Sequence, residues 1–185
     1  MKSSHLLLVA TFCLLAWTTQ AQDTNALKTD LGVFETQTGT VLVKGVGQVG
    51  EIAVGPDEIA MRCKETTDTS TGSKAYGVAI EIAGEPLPRE RILIDDDELD
   101  SLLNGINYLV KINNEVTTLP GFEASYTTKA GLRIIADSIR KDGGVQLFLQ
   151  YDINPRIPMS SLQLTQLGDL IEQARKSIAD LKAAK

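Results

Sequence analysis

Hydrophobic and polar residues alternate with a period of two over much of the chain, which is the pattern of half-buried β-strands. In the clearest case, Ile59, Met61 and Cys63 share one face of a strand. Arg62 and Lys64 lie between and after them and point the other way. Polar stretches or glycine-containing turns separate the alternating segments. The pattern predicts strands over residues 40–44, 58–66, 76–82, 91–94, 122–127, 132–139 and 145–151.

Two longer segments carry a single apolar stripe at helical spacing instead. The first follows the strand at 91–94, and the second lies near the end of the chain. Each begins at a capping-box spacing, Asp95 with Glu98 and Ser160 with Gln163, in which the paired side chains can satisfy exposed backbone N–H groups. The stripes consist of Leu99, Leu102, Leu103, Ile106, Leu109 and Val110, and of Leu164, Leu167, Leu170, Ile171, Ala174, Ile178 and Leu181.

The two halves of this region resemble each other at one constant offset along the chain, the distance in sequence from Arg91 to Arg156. The matching pairs are Arg91/Arg156, Ile92/Ile157, Leu99/Leu164, Leu102/Leu167, Ile106/Ile171, Glu58/Glu123 and Lys64/Lys129. The shared strand-to-cap junction favours an internal duplication, with each half a run of antiparallel strands that ends in a helix. A period this long exceeds that of solenoid repeats and favours one pseudo-symmetric domain.

These elements predict an α+β fold, an antiparallel β-sheet arrangement with two long helices that cover one face. We expect a single domain over residues 40–185, made of halves 40–114 and 115–185. Residues 22–39 form a preceding segment, in which Leu27, Leu31 and Phe34 recur at the spacing of a short amphipathic helix.

The segment 1–21 is arranged like a secretory signal. Lys2 supplies a positive start, Leu6–Ala16 is a short apolar run, and Thr19 and Ala21 are the small residues that a signal peptidase reads. A membrane-spanning helix needs about 20 apolar residues, so we expect cleavage near Ala21 and no transmembrane anchor. This predicts a periplasmic or extracellular protein.

Composition is that of an ordinary globular protein, with 43% hydrophobic and 23% charged residues. Removing the leader takes away one lysine and no acid, so the formal charge of −6 becomes −7 in the processed chain, 22–185. It also removes His5, Trp17 and Cys13, which leaves no histidine, no tryptophan and one thiol, Cys63.

The missing residue types exclude several chemistries from the processed chain. Serine and cysteine nucleophile arrangements need an imidazole base, and zinc sites need histidine or several cysteines. One thiol cannot form an intramolecular disulfide. We therefore expect no catalytic, cofactor-binding or metal-binding residues, and we expect Cys63 to be a buried structural thiol.

Three motifs have simpler structural interpretations. The run Gly45–Gly50 matches G-x-G-x-x-G, but no helix follows it, so a glycine-bulged or tightly turned strand is favoured over a nucleotide site. The acids of Asp95–Glu98 suit a helix N-terminus better than a calcium loop. Tyr126 and Tyr151 are predicted to pack against the sheet, and Phe148 is the one aromatic side chain expected at the surface.

Two resemblances follow from these residues. The repeated order of strands and helix resembles the topology of Whirly single-stranded DNA-binding proteins and related coactivators. Because the chain is acidic and has an export signal, nucleic-acid binding is not expected. In sequence, Arg91–Ile112 and Phe122–Gly131 resemble small exported bacterial proteins, a likeness that implies no activity and no site residues.

The leading hypothesis is an exported, non-catalytic module that binds a protein partner or an envelope component. One alternative is a carboxylate-based hydrolase of an extracellular or envelope glycan, which needs only two suitably spaced acids. Another is a carrier of a small apolar ligand, held in a space between sheet and helices. The pattern leaves the oligomeric state open.

Overall fold

The computed structural model describes residues 28–84, 90–138 and 144–184, which form three α-helices and eight β-strands. In chain order these are α1 (Asp30–Glu35), β1 (Leu42–Val54), β2 (Asp57–Asp68), β3 (Lys74–Ala83), β4 (Glu90–Asp95), α2 (Leu99–Leu109), β5 (Glu123–Thr127), β6 (Leu132–Asp137), β7 (Gln146–Tyr151), β8 (Ile157–Met159) and α3 (Ser161–Ala183). Residues 1–27, which include the predicted signal segment, and residues 85–89, 139–143 and 185 lie outside the described residues.

The strands form two separate antiparallel sheets, ordered β1-β2-β3-β4 and β5-β6-β7-β8. Each sheet is a meander in which neighbours in sequence pair, because short connections can join antiparallel strands directly. The predicted α+β class is confirmed. The number of sheets was left open by the sequence. The strands divide between two sheets, and the short helix α1 is present beside the two long helices.

Each long helix packs on the sheet of the other half of the chain. Helix α3 packs on β1, β2 and β3 of the first sheet, whereas α2 packs on β5 and β6 of the second, and the two helices contact each other. A Cβ added at Gly105 of α2 would lie 2.6 Å from Cδ2 of Tyr126 on β5, which shows how closely helix and strand approach. Because each helix covers the other half's sheet, the strands of both sheets and the two long helices share one hydrophobic core.

Helix α1 covers the outer face of the first sheet, on the side away from α3. Leu31 is buried there with Ala79 and Leu93 in a small apolar cluster of its own. The predicted N-terminal helix therefore exists, but it spans Asp30–Glu35 only, and the Leu27 position of its predicted stripe lies outside the described residues.

The constant offset between the halves holds for part of each half. It aligns β4 with β8 and α2 with the first part of α3 along the sequence. The capping box at Ser160 and Gln163 forms as predicted. The offset fails earlier, because Glu58 and Lys64 lie on the second strand of their sheet whereas Glu123 lies on the first strand of the other. Strands and connections of different length account for the loss of register.

Candidate functional site

A cleft of about 650 Å³ opens between β1 and the C-terminal end of α3. Its upper wall is the glycine-containing segment of β1, and its other wall is the last turns of the helix. The floor comes from β2. The lining residues are Gly45, Val46, Gly47, Gln48, Cys63, Glu65, Ser177, Asp180, Leu181 and Ala184.

Glycine residues decide where sheet and helix separate. A Cβ added at Gly50 would meet Cδ2 of Leu170 at 2.6 Å, so α3 packs tightly against β1 at that point. At Gly47 a Cβ would meet nothing within 4 Å. The change coincides with a register shift between Gln48 and Gly50, which confirms the predicted bulged strand. The missing side chains at Gly45 and Gly47 therefore leave the cleft open.

Cys63 lies on the floor of the cleft and is 4% exposed. Its Sγ lies 3.6 Å from the carbonyl oxygen of Ala174 on α3. Burial raises the pKa of the thiol, and a hydrogen bond with Ser177 opposes this only in part. The expectation of a buried cysteine is confirmed, and the neutral thiol is a poor nucleophile.

Two carboxylates line the cleft, Glu65 and Asp180. Lys74 donates to Oε1 of Glu65 at 2.8 Å, and this hydrogen bond lowers the pKa of the carboxyl group. Glu65 is therefore ionised at neutral pH. A general acid for glycoside hydrolysis needs a raised pKa instead, so Glu65 does not have the electrostatics of the acid in that mechanism.

The first seven residues of β1, Leu42–Gln48, form an exposed edge. Strand β1 is the first strand of its sheet and pairs only with β2 among the described strands. Val43 and Val46 are 56% and 55% exposed. The C-terminal part of β1 is covered, since Gln163 of α3 donates to the carbonyl oxygen of Ala53 at 2.9 Å. Backbone groups along Leu42–Gln48 are thus available to a partner.

The acidic turn before α2 is a junction between elements. Asp95 does not cap α2, and the predicted capping box with Glu98 does not form. The Asp95 carboxylate instead accepts hydrogen bonds from the backbone N–H groups of Asp30 and Leu31 at the start of α1, both at 2.9 Å. Lys129 of the β5–β6 turn donates to Asp95 at 3.1 Å.

Neighbouring residues of this turn are held in the same way. Asp97 accepts from Lys129 at 2.9 Å, and Asp96 pairs with Lys182 near the end of α3. Lysines thus neutralise the carboxylates that a calcium ion would need. Within the described ranges, no group of three or more His, Cys, Asp or Glu side chains could hold a metal ion.

The pKa of the Glu98 carboxyl group is raised. Burial disfavours its charged form more than Lys129 favours it. One oxygen accepts the backbone N–H of Lys129 at 2.7 Å. Among described atoms, the other oxygen has no hydrogen-bond partner. Glu98 does not line the cleft, so the carboxyl group with the raised pKa is separate from the two cleft carboxylates, Glu65 and Asp180.

Phe148 lies on the outer face of the second sheet, where it is half-buried rather than freely exposed. The guanidinium of Arg156 sits 5.6 Å from its ring centroid. Arg156 also donates to Asp137 at 3.0 Å and to Glu123 at 2.7 Å. The expected exposed aromatic is therefore covered by an ion-paired arginine.

No described helix has the length and hydropathy of a membrane span. Sequence reasoning identified the Gly45–Gly50 strand but missed the cleft, because its second wall comes from a helix at the other end of the chain. The one available signal was the pair of glycines on the inner face of β1. Comparison with family models, with curated proteins and with solved structures gave no match for this chain.

Proposed function

We propose that the protein is an exported, non-catalytic binding module and that the cleft between β1 and α3 is its ligand site. The observation that carries the proposal is the cleft itself, a space of about 650 Å³ kept open by Gly45 and Gly47. Ligand pockets of small molecules fall in the range of roughly 300–1,000 Å³.

The lining favours an apolar ligand. Leu181, Ala184 and the glycine backbone line the cleft, and Cys63 adds a neutral thiol at the floor. Burying an apolar group against such a lining stabilises a complex by about 25 cal/mol per Å². Glu65 on β2 and Asp180 on α3 add acceptors for a ligand that has a hydrogen-bond donor or a positive charge. Carriage of a small, mainly apolar ligand is therefore the form of binding that the cleft supports best.

A carboxylate-based hydrolase remains the alternative. It would require the acid and the second carboxylate to face each other across one cleft. Glu65 in the cleft has a lowered pKa, and Glu98, whose pKa is raised, lies elsewhere. This separation supports binding over hydrolysis.

The test measures binding of the neutral apolar dye Nile red to protein expressed with its own leader. A Gly47→Val substitution places a side chain into the cleft without backbone strain, because Gly47 has no positive φ and its Cβ would have open space. We expect wild-type protein to bind one dye per chain and Gly47→Val to weaken binding at least about tenfold.

Gly144→Val is the matched control, because a Cβ at Gly144 also meets nothing within 4 Å and Gly144 does not line the cleft. Equal binding by both variants, or none by wild-type protein, contradicts the cleft as ligand site. Native mass spectrometry of protein from its own host checks for retained cargo, and its intact mass tests export by showing whether the chain begins at Gln22.

A further inference from the structure

We propose that the exposed edge of β1, Leu42–Gln48, pairs antiparallel with the same segment of a second copy of this chain, about a twofold axis at Gly45. The second copy would then close the open side of the cleft. In this respect the inference rests on the proposed function, although the pairing can be measured by itself.

The length of the edge is the first argument. The other strands at the sheet edges, β4, β5 and β8, have six, five and three residues, whereas β1 has thirteen. Natural proteins usually protect long edges with charges, proline, bulges or a covering element. Over Leu42–Gln48 the described structure has one charged residue, Lys44, and no covering strand. Such an edge is a template for strand addition.

Exposed valines give the second argument. The register with β2 places Gly47 opposite Cys63 and Val43 opposite Thr67, so Val43, Gly45 and Gly47 share the inner face of the sheet. Val43 is nevertheless 56% exposed. An inner-face valine that its own chain leaves exposed gains from burial against another molecule.

The register follows from which part of β1 is free. The bulge between Gln48 and Gly50 ends the regular edge, and beyond it α3 contacts β1 at Gly50 and at Ala53. Pairing of all seven free residues puts Gly45 opposite Gly45 of the second copy. Val43 then lies opposite Gly47 of the second copy, on the inner face.

This register makes the second copy the favoured occupant. Directly opposed side chains on one face lie about 4.5–5.5 Å apart, so Val43 of the second copy would cover the vacant position above the cleft. Lys44 would lie opposite Val46, and no like charges would face each other. Twofold dimers are also the commonest assemblies of identical chains.

Sedimentation equilibrium of the processed wild-type protein is the first measurement. We expect a reversible monomer–dimer equilibrium, with dissociation in the micromolar range because the interface is small. Two substitutions at the exposed Val46 then test the register. Val46→Lys places the new lysine of each copy opposite Lys44 of the other copy, so two like-charged pairs form. We expect the dissociation constant to rise about tenfold. Val46→Glu creates two opposite-charge pairs, and we expect it to fall about threefold.

The two variants discriminate local pairing from general charge repulsion. The processed chain is strongly acidic, so general repulsion predicts the reverse order, with tighter association for Val46→Lys. Reversed or equal shifts overturn the proposal, as does wild-type protein that stays monomeric up to about 1 mM. If either variant has a melting temperature different from that of wild type, hydrogen exchange of the wild-type protein tests the pairing instead. The backbone amides of residues 42–48 should then be protected at high protein concentration and lose that protection on dilution.

The outcomes separate this inference from the proposed function. A monomer that binds Nile red through Gly47 overturns the dimer alone. A dimer that binds no dye overturns the cleft as ligand site alone. Amide protection at 42–48 that appears only with an unrelated peptide overturns the second copy as the occupant.

Discussion

The outer faces of the two sheets are covered in different ways. On the first sheet, α1 covers Lys64, whose side chain is fully buried and pairs with Glu35 of that helix. On the second sheet no described helix covers the outer face, and the Arg156 side chain extends over Phe148 to pair with acidic side chains of β5 and β6. One half uses a helix from a preceding segment, and the other uses ion-paired arginine side chains of its own, Arg156 and Arg133.

The difference shows in the ionisation of the charged groups. Burial lowers the pKa of Lys64, and the Glu35 carboxylate offsets this only in part. Burial alone would raise the pKa of Glu35, but Lys64 and the other hydrogen-bond donors around the carboxylate outweigh it and lower that pKa. On the second sheet, Arg156 is 33% exposed, and hydrogen bonding to it lowers the pKa of Glu123. A buried pair is costly to break, whereas an exposed one is screened by water and salt.

The largest effect is therefore expected for Glu35→Gln. This substitution leaves Lys64 buried without its carboxylate, and we expect the free energy of unfolding to fall by about 3 kcal/mol in urea denaturation. Lys44→Met is the matched control, because Lys44 contacts the same carboxylate at 3.2 Å but is 44% exposed. It should cost less than about 1 kcal/mol. Equal losses in the two variants would show that α1 is not held by the buried pair.

The same pair gives a pH dependence. Because the pKa of Glu35 is lowered on folding, its contribution to stability is present above its ordinary pKa of 4.5 and is lost as pH falls through the lowered value. Acid should thus weaken the docking of α1. Urea denaturation at a series of pH values checks this, because the stability gap between wild type and Glu35→Gln should narrow as the solution becomes more acidic. A gap of constant size would contradict the linkage.

A smaller effect is expected for Arg156→Met on the second sheet. Methionine keeps apolar cover over Phe148 but removes the ion pairs to Glu123 and Asp137. We expect the melting temperature to fall by about 2 °C at low salt. The difference should shrink in about 0.5 M NaCl, where the Debye length is only about 4 Å. A loss as large as that of Glu35→Gln, or one insensitive to salt, would contradict the contrast between the faces.

The smallest effect concerns the two strand-to-helix junctions. Ser160 and Gln163 form a neutral capping box, whereas Glu98, at the position that the constant offset aligns with Gln163, carries a buried carboxyl group. Its raised pKa means that its contribution to stability falls as pH rises above the ordinary value of 4.5. Glu98→Gln should match wild type near pH 4 and be more stable by about 0.5 kcal/mol at pH 7.

Asp97→Asn is the control for that experiment, because Asp97 belongs to the same turn but is 66% exposed. Because the exposed Asp97 side chain carries no comparable burial cost, Asp97→Asn should not exceed the stability of wild type at pH 4 or at pH 7. Urea denaturation across this range checks both variants, and a Glu98→Gln variant without pH dependence would show that the carboxyl group is not destabilised by burial.

Much of the fold was predictable because its signals are local. The period-two stretches indicated strands, the apolar stripes indicated α2 and α3, and Ser160 with Gln163 marked the start of α3. The first junction was predicted wrongly. Asp95 has the spacing of a capping residue, but the start of α1, far away in sequence, competes for its carboxylate. Tertiary hydrogen bonds replaced a local one.

The cleft could not be predicted from the same signals. Gly45 and Gly47 indicated an irregular strand, and a strand glycine has the same sequence signature whether it is packed, as Gly50 is against Leu170, or open, as Gly47 is. The difference depends on where α3 diverges from β1. That divergence is a property of the packed pair of elements.

The amino-acid sequence by itself determined most element types, the inner face of the strands that it predicted and the burial of Cys63, because alternation and helical spacing act over a few residues. Only the tertiary structure decided that each long helix covers the other half's sheet, that Lys64 is buried under α1, and that Arg156 covers Phe148. An apolar stripe specifies that a face must be buried and does not specify against what. That choice depends on shape and charge between residues far apart in the chain.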